Sequence, residues 1–156
     1  MDLHVVLVEP EIPPNTGNVA RLCAAARATL HLVEPLGFKL DDAQLKRAGL
    51  DYWQHLNWHR WANWPAFQKQ LPAGARLWLL ESKGPRHYAE ARYQPGDYLV
   101  FGRETAGLPA AVLAQYPESW LRIPMFEPRV RSLNLSNCVA LVLYEALRQQ
   151  GFAGEI

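Results

Sequence analysis

An α/β fold, built on a mostly parallel sheet with helices on both faces, is the architecture this sequence predicts. Three observations carry it. Runs such as Leu3–Glu9, Arg76–Ser82 and Asp97–Gly102 stay apolar at consecutive positions instead of alternating, as strands covered on both faces do. These runs are separated by segments whose apolar residues recur at helical spacing. Loops rich in Pro, Gly, Ser and Asn follow several of the strands. At 156 residues the chain can bury one sizeable core, and residues 1–156 read as a single domain.

The elements follow in order. Leu3–Glu9 reads as a buried strand, followed by the loop PEIPPNTG. Thr16 is expected to cap a helix through about Ala28, with Val19, Leu22, Cys23 and Ala26 on one face. Thr29–Glu34 is a second strand. Asp41 begins a short amphipathic helix that Gly49 ends. LNWHR reads as a strand. NWPAFQKQL reads as a helix capped by Asn63, with Pro65 in its first turn. Arg76–Ser82 and Asp97–Gly102 are strands, Pro109–Gln115 a short helix, WLRIPM a strand. A last helix runs to Gln150 and stops at Gly151. This helix is apolar almost all round, from Val139 to Leu147, so it needs cover on more than one side. A second copy of the chain is the expected cover.

Composition narrows the function. The net charge is only +1, so no global basic field announces a nucleic-acid partner. The longest apolar run, Cys138–Tyr144, is too short to span a bilayer, and the N-terminus lacks a signal-peptide pattern. Cys23 and Cys138 sit apart within apolar helical patterns and read as reduced thiols, so a cytoplasmic protein with no membrane partner is expected. Neither G-x-G-x-x-G nor G-x-x-x-x-G-K-[ST] is present, which disfavours classical dinucleotide binding and P-loop hydrolysis.

Three segments follow predicted strands, where open α/β sheets collect ligands. Glu9–Cys23 combines a Pro-rich turn with Asn15, Asn18 and Arg21; it reads as a capped helix start or as an anion site beside a helix N-terminus. Leu99–Pro109 places Arg103 and Glu104 between Gly102 and Gly107. It reads as a strand-to-helix turn or as a loop whose backbone approaches a ligand. Ile123–Asn137 crowds Ser132, Asn134, Ser136 and Asn137 ahead of an apolar helix. One cap needs one such side chain, not four.

In this order the three segments contain P-x-N-x-G-N-x-x-R, F-G-x-E-x-x-G-L and S-L-N-L-S-N-x-V-A. The set closely resembles the SPOUT superfamily of RNA methyltransferases, and within it the small stand-alone group that 2′-O-methylates the wobble nucleotide of tRNA. The match runs nearly end to end and includes Glu34–Phe38 and Lys46–Trp53. The resemblance implies a deep trefoil knot at the C-terminal helix, a topology that general connection rules exclude save in rare cases. It also implies a homodimer, S-adenosyl-L-methionine as cofactor and the anticodon loop of tRNA, leucine tRNAs among them, as partner. It places the cofactor at Leu80, Gly102, Ile123, Ser132 and Leu133, and RNA contacts at Asn15, Arg129 and Arg131.

The resemblance assigns catalysis to Arg21, Glu104, Asn134 and Ser136. Free-base Arg is negligible at neutral pH, because its pKa lies near or above ~12. Arg21 is therefore expected to act as a cation beside the 2′-oxygen, with Asn15, Glu104, Asn134 and Ser136 orienting the ribose or Arg21. Lys83, Arg86, Arg103, Arg129 and Arg131 are candidates for a local basic rim.

Trp53–Trp64 holds four tryptophans and two histidines. The tryptophans read either as packing residues or as stacking partners for unpaired bases. His55 and His59 would share a face if helical, but no further ligand completes a metal set, so no metal is expected. Relatives commonly carry a polar residue and a Gly where this chain has Ala24–Thr29, and Glu127–Ser132 is a residue longer than in some of them. An rRNA 2′-O-methyltransferase and an inactive dimeric RNA-binding scaffold are the competing readings.

Overall fold

The computed structural model describes residues 2–41, 43, 47 and 50–156. The strands are β1 (His4–Val8), β2 (Thr29–Val33), β3 (Trp58–Trp61), β4 (Leu77–Leu80), β5 (Arg86–His87), β6 (Tyr98–Phe101) and β7 (Trp120–Arg122). Among the described residues the α-helices are α1 (Pro13–Ala26), α2 (Trp64–Lys69), α3 (Ala110–Gln115) and α4 (Leu135–Gln149). The expected helix over Asp41–Gly49 lies largely outside the described residues.

All seven strands join one parallel sheet in the order β3-β2-β1-β6-β4-β7-β5. β1 is central, with His4 in register with Thr29 on one side and Tyr98 on the other. Side chains alternate between faces along each strand. One face carries Val5, Leu7, Leu30, Leu32, Leu99 and Phe101. It packs on Val19, Ala20 and Cys23 of α1 and on Val139, Val142, Leu143 and Ala146 of α4. The other carries Val6, Val8, Val33, Leu79 and Val100 under Trp64 and Phe67 of α2 and Val112 of α3. Cover on both sides is why the strands read as unbroken apolar runs.

Some boundaries differ from the sequence reading. α1 begins at Pro13, not after Thr16: two prolines fit the first turn because they lack the N–H groups a helix start leaves over. Thr16 is inside the helix, fully buried, and does not cap it. α2 is capped as expected, with Asn63 Oδ1 accepting from the Ala66 N–H at 2.8 Å. The two-residue strand β5 and the 3₁₀ turn Leu50–His55 have no clear sequence signal.

The Trp53–Trp64 segment is mainly packing. Trp53 and Trp58 meet edge to face at 4.6 Å, and Trp64 is buried against α3 and its following turn. His55 lies in the 3₁₀ turn and His59 in β3, so the two share no helix face. Among the described residues no group of three potential ligands gathers for a metal.

His59 belongs instead to a cross-strand cluster with His4 and His31, closed by Trp61, Phe67 and Tyr98. The Trp61 indole N–H donates to His31 Nδ1 at 3.0 Å, and His31 Nε2 meets His4 Nδ1 at 2.9 Å. The hydrogen-bond pattern assigns the neutral tautomer with its proton on Nε2. Burial, then the neighbouring His4 and His59, push the His31 ring down to about 3.

A pH dependence follows. Above pH 6.5, the ordinary His value, the ring is neutral in both states and its contribution to stability is complete. Below it the unfolded chain gains a proton that the fold refuses. Stability then falls by up to about 1.4 kcal/mol per pH unit until the folded value is reached. Urea midpoints should drop steadily between pH 6.5 and 5. His31→Gln, which keeps an acceptor for Trp61, should flatten that profile; equal slopes in both proteins would contradict the assignment.

Candidate active site

The carboxyl ends of β4, β6 and β7 open onto a cavity of about 540 Å³. Its walls come from Leu80–Ser82 after β4, Phe101–Gly107 after β6, Ile123 and Met125 after β7, Arg131–Leu135 with Cys138 at the start of α4, and Ile12 and Asn15 at the start of α1. Loops meet here because every parallel strand delivers its chain to the same edge.

Local conformation builds two of these walls. After β6 the chain makes a tight loop, with Arg103 and Gly107 exchanging backbone hydrogen bonds at 3.1 and 2.9 Å. Gly107 takes φ +66°, a left-handed value that suits Gly. A Cβ on Gly102 would sit 2.2 Å from the Gly107 carbonyl carbon and the Leu108 nitrogen, so only Gly fits. At α4, Asn134 is the N-cap: its Oδ1 accepts from Ser136 N at 2.9 Å and from the Ser136 hydroxyl at 2.5 Å.

One polar chain joins the walls. Glu104 Oε1 accepts from Glu11 N at 2.9 Å, and Oε2 from Ile12 N at 2.8 Å and Asn15 Nδ2 at 3.3 Å. Asn15 Oδ1 in turn accepts from Asn134 Nδ2 at 2.9 Å. Glu104 thus serves α1, whose N-cap Ile12 has no side-chain acceptor, and places a negative charge at the positive end of the helix. A reciprocal pair reinforces it: Glu11 Oε1 accepts from Thr105 N at 3.1 Å and Thr105 Oγ1 at 2.8 Å. Those two donors hold the Glu11 carboxyl below its usual value. Glu11 and Thr105 were absent from the sequence reading. Their pairing spans distant turns, and nothing in either local motif marks it.

The sequence-selected residues divide into those at the cavity and those elsewhere. Leu80, Gly102, Ile123, Ser132 and Leu133 line it, together with Asn15, Glu104, Asn134 and Arg131. Ser136 does not line it and donates its hydroxyl to Asn134 Oδ1. Arg129 does not line it and pairs with Glu127. Arg21 does not line it either. It lies well along α1, exposed, its guanidinium 5.0 Å from the centre of the Tyr52 ring. The expected place of Arg21 beside a helix N-terminus is corrected, because α1 starts at Pro13, well ahead of it. Of the expected rim, Arg103 lines the cavity while its Nε donates to Gly107 O at 3.0 Å. Lys83 is exposed, and Arg86 is turned onto the Trp78 ring at 5.4 Å. Burial raises the Cys138 thiol, which makes it a poor nucleophile.

The SpoU rRNA Methylase family profile matches residues 2–144. The chain is 55% identical over 154 residues to the tRNA (cytidine(34)-2'-O)-methyltransferase of Saccharophagus degradans, across 97% of both chains. A solved structure concerned with the 2-OH methylation of C/U34 on tRNA superposes with a TM-score of 0.91 at 50% identity, over 96% of this chain and 97% of that one. An AdoMet-bound rRNA methyltransferase from Sinorhizobium meliloti gives a TM-score of 0.83 at 29% identity, over 94% of this chain and 56% of the other.

Gly102→Ala should disrupt the loop, since the added methyl has backbone and not a flexible side chain against it. A cost of about 1–3 kcal/mol is expected from such overpacking. Equilibrium urea unfolding measures it, and an unchanged midpoint would show that the loop can shift.

Proposed function

The chain belongs to the SpoU rRNA Methylase family, and on that premise we propose that it is a cytoplasmic enzyme methylating the ribose 2′-hydroxyl of cytidine or uridine 34 in tRNA, with S-adenosyl-L-methionine as methyl donor. The supporting observation is the joint one: likeness across nearly the whole length of a tRNA (cytidine(34)-2'-O)-methyltransferase, together with a loop-lined cavity at the strand ends. The rRNA reading is less favoured, because the solved rRNA methyltransferase is 29% identical to this chain, against 55% for the tRNA (cytidine(34)-2'-O)-methyltransferase.

The cavity suits the donor. Its volume falls within the range of small-cofactor sites, roughly 300–1,000 Å³. Leu80, Ile123 and Leu133 offer apolar cover, and the Gly102 and Ser132 segments bring backbone groups to the wall. Bound there, S-adenosyl-L-methionine supplies a sulfonium methyl to an attacking oxygen. The superfamily's trefoil knot, expected where the chain enters α4, is part of the same proposal.

The chain's own groups then align the ribose. Asn134 Nδ2 spends one hydrogen on Asn15 and has a second for a sugar oxygen. Glu104 acts as a positioning residue, because both its oxygens are engaged by the start of α1. Arg21 stabilises charge developing on the 2′-oxygen and holds a neighbouring phosphate. Since Arg21 lies outside the cavity wall of its own chain, a homodimer is the means of completing the site. Leu141 and Tyr144, 40% and 43% exposed on α4, provide an apolar face for it.

Methyl-labelled donor and unmodified tRNA, followed by nuclease digestion and mass spectrometry, test the reaction. The label should appear on the ribose of nucleotide 34; a label confined to rRNA or another position would overturn the reading. Arg21→Lys should lower kcat by about 100-fold, with S-adenosylhomocysteine affinity by calorimetry unchanged. Near-normal turnover would remove Arg21 from the mechanism. Elution as a 17.7 kDa monomer at micromolar concentration would refute the dimer.

A further inference from the structure

Between β7 and α4 the stretch Met125–Asn134 is exposed at every residue. It carries large apolar side chains that α4 and the sheet leave uncovered: Met125, Phe126, Val130 and Leu133. Phe126 is the extreme case at 93% exposed. Leaving a whole aromatic ring in water forgoes burial that other phenylalanines of this chain obtain.

The segment is also shaped. Val130 N donates to Glu127 O at 3.0 Å, closing a turn across Pro128 and Arg129. The Arg129 backbone N–H donates to Glu127 Oε1 at 3.2 Å, and the Arg129 guanidinium pairs with the same carboxylate. That pairing offsets the one acidic charge of the turn. Arg131 follows, exposed and on the cavity wall, with no carboxylate partner among the described residues. Met125, adjacent to Phe126, lines the same cavity. An apolar ring close in the chain to the cation of Arg131, at the mouth of a site, matches an unpaired nucleotide, which presents an apolar base face beside an anionic phosphate.

We propose that the Met125–Arg131 turn is a docking surface for single-stranded RNA, in which Phe126 stacks on a base adjacent to the methylated nucleotide and Arg131 meets the adjoining phosphate. The proposal rests on the reading of the protein as an RNA ribose methyltransferase and extends it to substrate recognition. Stacking tolerates any base, so Phe126 would contribute affinity and register while sequence is read elsewhere. The ring is a positioning group and touches no reacting atom.

The test uses the full-length protein and an anticodon stem-loop RNA with 2-aminopurine beside nucleotide 34. Phe126→Ala and Phe126→Leu should raise the KM for RNA about 5- to 100-fold, leaving kcat, S-adenosylhomocysteine affinity and thermal stability unchanged. Phe126→Trp should restore KM. Wild-type protein should quench 2-aminopurine on binding, and Phe126→Ala should not. An unchanged KM in Phe126→Ala or in Phe126→Leu overturns stacking. Conversion of a dimer to a monomer by Phe126→Ala also overturns it, because a second copy would then cover the turn. Quenching needs no methyl transfer. Phe126-dependent quenching on an RNA that is not methylated would uphold the docking surface while refuting the reaction; methylation without Phe126 dependence would do the reverse.

Discussion

The carboxylate of Glu104 is the contact on which the site depends. It receives two backbone N–H groups at the start of α1 and the amide of Asn15. Through Asn15 it reaches Asn134, the cap of α4. Three chain segments that leave the sheet separately are thereby held in one arrangement. A carboxylate suits this task because it accepts several hydrogen bonds at once and is favoured at the positive end of a helix. Glu11 and Thr105 add a second link between the same two turns, so relative sliding would break bonds at both ends.

That arrangement needs a rigid base. The parallel sheet provides it by burying apolar side chains on both faces, with α1 and α4 on one and α2 and α3 on the other. α1 and α4 also pack against each other. The two helices whose N-termini carry Asn15 and Asn134 are therefore fixed by a shared core before any polar contact forms. The His4–His31–His59 cluster lies outside the cavity lining.

A single chain places Asn15 and Asn134 on the cavity wall but holds Arg21 outside it. Pocket and cation thus come from different parts of the surface. The α4 face with Leu141 and Tyr144 and the turn around Phe126 are both exposed, and the proposals above assign a second copy to the first and RNA to the second.

Much was legible in the sequence because it is written locally. Unbroken apolar runs announced a doubly covered parallel sheet, and Asn63 announced the start of α2. Gly102 and Gly107 mark a tight loop, where the first has no room for a side chain and the second takes a left-handed φ, and the Ser/Asn crowd ahead of α4 marks a cap with polar groups to spare. What remained hidden is non-local. Thr16 looks like the cap of α1, yet that start is served by Glu104, from a different turn of the chain. The strand order, with β7 placed between β4 and β5, has no local signature. Nor does the pairing of Glu11 with Thr105, or the packing of Trp53 against Trp58 and the burial of Trp64. Sequence patterns determine which segments form helices, strands and turns, because those follow from neighbouring residues. Only tertiary structure decides which polar groups meet, because hydrogen bonds of about 3 Å depend on the packing of every element between them.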